Sequence, residues 1–104
     1  MMRRAEKRTE VTQGIIEELQ LAFDPKRVNL QSHHLSHAAI ILNLNLYFKE
    51  KIPRREIKAM LTLLDKLESK SKLQFNLEGE TIKASIRSQL MNALTNYESL
   101  SIMQ

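Results

Sequence analysis

The sequence predicts an all-α single domain over residues 1–104, an antiparallel, bundle-like set of four helices with the second helix central. Three observations carry this. Only two glycines and two prolines occur in 104 residues, too few for the tight turns that a β-sandwich or barrel of this size requires. Apolar residues recur at three- and four-residue spacing over separate stretches, the period of a helix with one buried face. The balance of 42% apolar and 27% charged residues is that of a globular chain long enough for one core.

The first helix is predicted over Arg4–Phe23, with Val11, Ile15, Leu19 and Ala22 on one face and Ile16 and Phe23 widening it. Gly14 inside it weakens the helix by about 1 kcal/mol relative to alanine and can mark the close approach of a neighbour. Asp24-Pro25 ends the segment, since a residue before proline avoids the helical region.

The second helix is predicted from a cap at Asn29 or Ser32 to about Lys51. Its polar stripe is narrow (Ser32, Ser36, Asn43 and Glu50), and Leu35, Ile41, Leu42, Leu44, Leu46 and Phe48 cover most of the remainder. A helix apolar on nearly every side must be surrounded. Three partner helices in so small a chain leave part of it uncovered. A second copy would cover the rest, so a homodimer is expected, with Leu42, Asn45, Leu46 and Phe48 as its protein interface. Asn45 lies within the apolar arc. It is either a pairing device across a dimer axis or a core amide satisfied by backbone or water.

An α+β alternative rests on the same stretch. Residues 42–48 alternate apolar and polar with period two, and residues 73–77 do the same, as half-buried strands would. The first run uses unbranched leucine, however, and two strands make a marginal sheet. Pro53 then opens a third helix through about Ser69, with Ile57, Met60, Leu61, Leu64 and Leu67 on one side and Arg55, Lys58, Thr62 and Lys66 on the other. Gly79 reads as a turn. Thr81 reads as the cap of a fourth helix reaching Met103, with Ile82, Ile86, Gln89, Ala93, Tyr97 and Leu100 along its seam.

The function classes narrow by exclusion. Cysteine is absent, so disulfides and thiolate metal sites are excluded, in keeping with a reducing compartment. No apolar h-region follows the basic start MMRRAEKRTE, and the apolar run 38–42 falls far short of a membrane span. A cytoplasmic protein is expected. His33 and His37 lie one helical turn apart, a spacing that suits a metal, but no third ligand accompanies them and His34 stands where a zincin has glutamate. They are metal candidates by spacing alone, and no cofactor is expected. No serine–histidine–acid arrangement and no glycine-rich phosphate loop can be assembled, so no enzyme is expected.

The expected function is therefore a small regulatory or adaptor protein that works through helix-mediated protein contacts. An alternative is nucleic-acid binding through the basic cluster of Lys49, Lys51, Arg54, Arg55 and Lys58 with the N-terminal Arg3 and Arg4, on a chain of net charge +4. The exposed face of that third helix is mainly Arg and Lys, which suits sequence-independent contact with phosphate. By size and charge the chain also resembles the small basic four-helix immunity proteins that accompany peptide toxins, a likeness of fold that no motif carries.

Overall fold

The computed structural model describes residues 9–48 and 52–103, with the side chains of all of these but 28, 48 and 98–103. Among these residues four α-helices follow in order: α1 (Glu10–Ala22), α2 (Gln31–Phe48), α3 (Arg54–Lys70) and α4 (Leu77–Met103), with a 3-10 turn Pro25–Leu30 between the first two. No strand occurs among the described residues.

Cross-helix contacts give the topology. Glu18 of α1 meets His34 and His37 of α2, and a side chain at Gly14 would face Ile41, so these two helices run antiparallel. Lys83 and Arg87 of α4 reach Glu68 of α3, while the Tyr97 hydroxyl donates to the Ile52 carbonyl, so the second pair is antiparallel too. The hairpins join through like ends: Thr9 meets Glu56 at the starts of α1 and α3, and Ser32 meets Asn76 at the starts of α2 and α4. Around the bundle the order is α1, α2, α4, α3. Helices α2 and α3 lie on a diagonal, with no close approach of their backbones.

The core is the meeting of the four inward faces. Ile15, Leu19, Leu35, Leu42, Ile57, Met60, Leu64, Ile86 and Leu90 are fully buried. The stripes predicted for α1 and α3 point inward as expected. On α4, Ile86 and Leu90 are the fully buried core residues, while Gln89 is half-buried and donates to the Ser85 hydroxyl one turn back.

Two helix starts differ from expectation, and in both the cap is the cause. Thr9 has extended backbone (φ −64°, ψ 157°) and its hydroxyl oxygen accepts from Thr12 N–H, so α1 begins at Glu10 rather than Arg4. Residues 4–8 lie outside the described residues. At the other end, Asn76 Oδ1 accepts from Gly79 N–H at 2.7 Å and from the Ser32 hydroxyl at 3.2 Å. Helix α4 therefore starts at Leu77, not at Thr81, and Gly79 lies within its first turn rather than in a loop. Ser32 is not the cap of α2. That helix continues from the 3-10 turn at Gln31, and Ser32 binds the cap of α4 instead.

The strand alternative is overturned. Residues 42–48 are helical, residues 71–76 form an irregular connector, and Leu77 belongs to α4. Asn45 Nδ2 donates to the Ile41 carbonyl four residues back at 2.8 Å, a bond that only helical geometry makes. In place of a strand, the connector lays Phe75 on Phe23 with ring centroids 5.0 Å apart, and the Lys83 ammonium sits 4.6 Å from the Phe75 centroid.

The two glycines predict opposite mutational signs. A Cβ at Gly14 would meet Ile41 Cδ1 at 3.7 Å, an ordinary contact. Gly14→Ala is therefore expected to stabilise the protein by about 0.5–1 kcal/mol through helix propensity. At Gly79 a Cβ would lie 3.0 Å from Phe75 Cδ2 and 3.2 Å from the capping oxygen of Asn76. Both groups are held by other partners, so Gly79→Ala is expected to cost roughly 1 kcal/mol or more despite the same propensity gain. Thermal melts of the two variants check this pair.

Candidate functional site

Helix α2 is where the sequence placed its interface, and the structure redistributes those residues. Leu42 is fully buried in the chain's own core. Leu46 is half-buried against that core, and Asn45, also half-buried, satisfies its amide on the helix backbone. The side chain of Phe48 lies outside the described residues. Leu42 therefore holds the chain together and is not offered to another molecule.

What α2 does present outward is a different set. Ile40, Leu44 and Tyr47 are 54%, 49% and 79% exposed, and His33 and His37 are exposed beside them. These five residues recur at spacings of four, three, four and three, forming one straight stripe along the helix. Of the polar stripe expected from the sequence, Ser32, Ser36 and Asn43 are half-buried instead, and Glu50 lies outside the described residues. Helix α2 also lacks any Asp, Glu, Lys or Arg over its 18 residues. Its outer surface is thus apolar and aromatic with two imidazoles, and free of formal charge on the helix itself.

The histidines divide into two roles. His34 is buried, and its Nδ1 lies 2.7 Å from Glu18 Oε1. Its Nε2 is buried without a hydrogen-bond partner among the described residues, as is the Gln31 amide nitrogen. The carboxylate of α1 therefore fixes the ring where the two helices pack. His37 Nδ1 lies 3.7 Å from the same oxygen, and its ring sits 4.3 Å from that of His33 at 52°. No group of three metal-ligating side chains occurs among the described residues. The link to Glu18 was missed from sequence because sixteen positions separate it from His34. Only the antiparallel pairing of α1 and α2 brings the two together.

The basic cluster is represented by Arg54, Arg55 and Lys58, all exposed at the start of α3. Arg55 Nη2 lies 3.7 Å from the Glu56 carboxylate. Arg3, Arg4, Lys49 and Lys51 lie outside the described residues. The cations of α4 are internally matched: Lys83 pairs with Glu68 and Glu80, and Arg87 with Asp65 and Glu68. No helix among the described residues is long and apolar enough to cross a membrane. The chain matches no protein-family model, no curated protein and no solved structure.

Proposed function

We propose that this is a non-enzymatic adaptor or regulatory protein that acts through helix-mediated protein contacts, with the outer stripe of α2 as its contact surface. The observation that carries this is the combination on one helix of exposed Ile40, Leu44 and Tyr47 with the absence of Asp, Glu, Lys and Arg. Single exposed apolar residues are ordinary on a protein surface, whereas an aligned set of large ones marks an interaction site. The rest of the bundle supports the stripe without competing for it. Leu35, Ala38 and Leu42 anchor the opposite side of α2 in the core, so the exposed residues are displayed on a rigid element.

A photo-crosslinking residue placed at position 44 in the native host tests this reading. The expected result is efficient crosslinking to protein from position 44 and little from position 13, an exposed position on α1. Equal or absent protein crosslinking from the two positions would refute it.

A further inference from the structure

We propose that the occupant of this stripe is a second copy of the chain, docked antiparallel about a two-fold axis level with Leu42. This rests on the reading of α2 as a protein contact face and names its partner.

The spacing suits another helix. His33, His37, Ile40, Leu44 and Tyr47 average 3.5 residues apart, the repeat of a seam whose side chains interlock with those of a facing helix. An extended peptide reads alternate residues, and a helix that lies on a membrane surface carries Lys and Arg on its polar side. The exposed stripe of α2 lacks the first pattern, and the helix carries no Lys or Arg.

Charge favours a copy over a charged stranger. The seam helix bears no Asp, Glu, Lys or Arg, so two copies bring no like charges together along it. A charged partner helix would find no counter-ion there and would lose hydration without return.

The side chains match themselves in one register. With the axis midway between positions 40 and 44, Ile40 faces the partner's Leu44 and His37 faces the partner's Tyr47. Two aliphatic layers then form the centre, each flanked by an imidazole against a phenol ring. A parallel, in-register pair would instead stack His33 and His37 on their own copies, although these rings already lie 4.3 Å apart within one chain. It would also align the helix dipoles.

The seam from His33 to Tyr47 is roughly 21 Å long at 1.5 Å per residue. One helix face with its flanks reaches at most the roughly 800 Å² per partner of a standard interface.

Because the chain has no cysteine, engineered thiols report the register directly. Sedimentation of the full chain is expected to show a mass rising with concentration from one chain toward two. The double variant Ile40→Asp, Leu44→Asp is expected to associate about a hundredfold more weakly with unchanged helicity. Mixing Ile40→Cys chains with Leu44→Cys chains under mild oxidation is expected to give the mixed disulfide faster than either like-with-like disulfide. A wild-type chain that stays monomeric at millimolar concentration would overturn the proposal, and so would dominance of like-with-like disulfides. A monomer in vitro whose position 44 crosslinks to a different protein in the host would overturn the second copy alone and leave the contact face standing.

Discussion

Leu42→Ala is expected to lower stability by about 3 kcal/mol, whereas Leu44→Ala, two residues along the same helix, is expected to cost under about 0.5 kcal/mol. Leu42 is fully buried among the residues of all four helices, while Leu44 is 49% exposed. Truncating the first removes its transfer free energy and leaves a cavity that the helices close only in part. Truncating the second removes surface that water already touches. For a domain of this size, 3 kcal/mol corresponds to a fall in Tm on the order of 10–20 °C. The measurement is paired chemical denaturation, with the association of each variant followed alongside. Leu42→Ala should change the midpoint, and Leu44→Ala should change self-association while the midpoint holds. The reverse pattern would mean that α2 is rotated about its axis, with the outer stripe turned inward.

That rotation is the part of the fold the sequence left open. Helices α1 and α3 place Glu10, Glu17, Lys58 and Lys66 opposite their apolar stripes, so charge alone orients them, and those residues are exposed. Helix α2 has no such charges, and apolar residues cover most of its circumference. Its narrow polar stripe of Ser32, Ser36 and Asn43 read as the water-facing side, yet short hydroxyls and amides are tolerated against a neighbouring helix when they find partners, as Ser32 does on Asn76. The inward face was set by which side of α2 fits α1 and α4. Small Ala38 and the buried Leu35 and Leu42 occupy it, and Ile40 and Tyr47 are left outside. Both missed helix starts have a related cause. Thr9 and Asn76 are good capping residues, but the positions three further on hold Thr12 and Gly79 rather than the Glu or Gln that completes a recognisable capping box. The dimer expectation came from the breadth of the apolar surface on α2. Of the residues first assigned to it, Leu42 belongs to the core and Leu46 packs against it, and the argument for a second copy now stands on their neighbours.

Glu56→Gln is expected to cost about 2 kcal/mol at neutral pH, and Glu56→Ala about 3 kcal/mol. Glu56 is only 3% exposed and belongs to the first turn of α3, yet it serves the start of α1. Its carboxylate accepts from the Thr9 hydroxyl at 2.9 Å and from Thr9 N–H at 3.3 Å, and Thr9 in turn accepts from Thr12 N–H. Burial by itself pushes the Glu56 carboxyl up. The hydrogen bonds from the Thr12 and Thr9 side chains and the Thr9 backbone, with the charge of Arg55, more than reverse this and hold it below its ordinary value of 4.5. A carboxyl lowered on folding contributes stability that is fully present above its unfolded value and is lost as pH falls through the lower folded one. The difference in unfolding free energy between wild type and Glu56→Gln is therefore expected to be largest at neutral pH and to shrink below about pH 4.5. Hydrogen exchange locates the effect. Thr12 and Gln13, whose amides bond Thr9 Oγ1 and the Thr9 carbonyl, should exchange faster in the variant than residues of α4 do. A difference that stays constant with pH would mean that shape rather than charge holds the two helix starts together. It would leave the Thr9–Glu56 contact as packing alone.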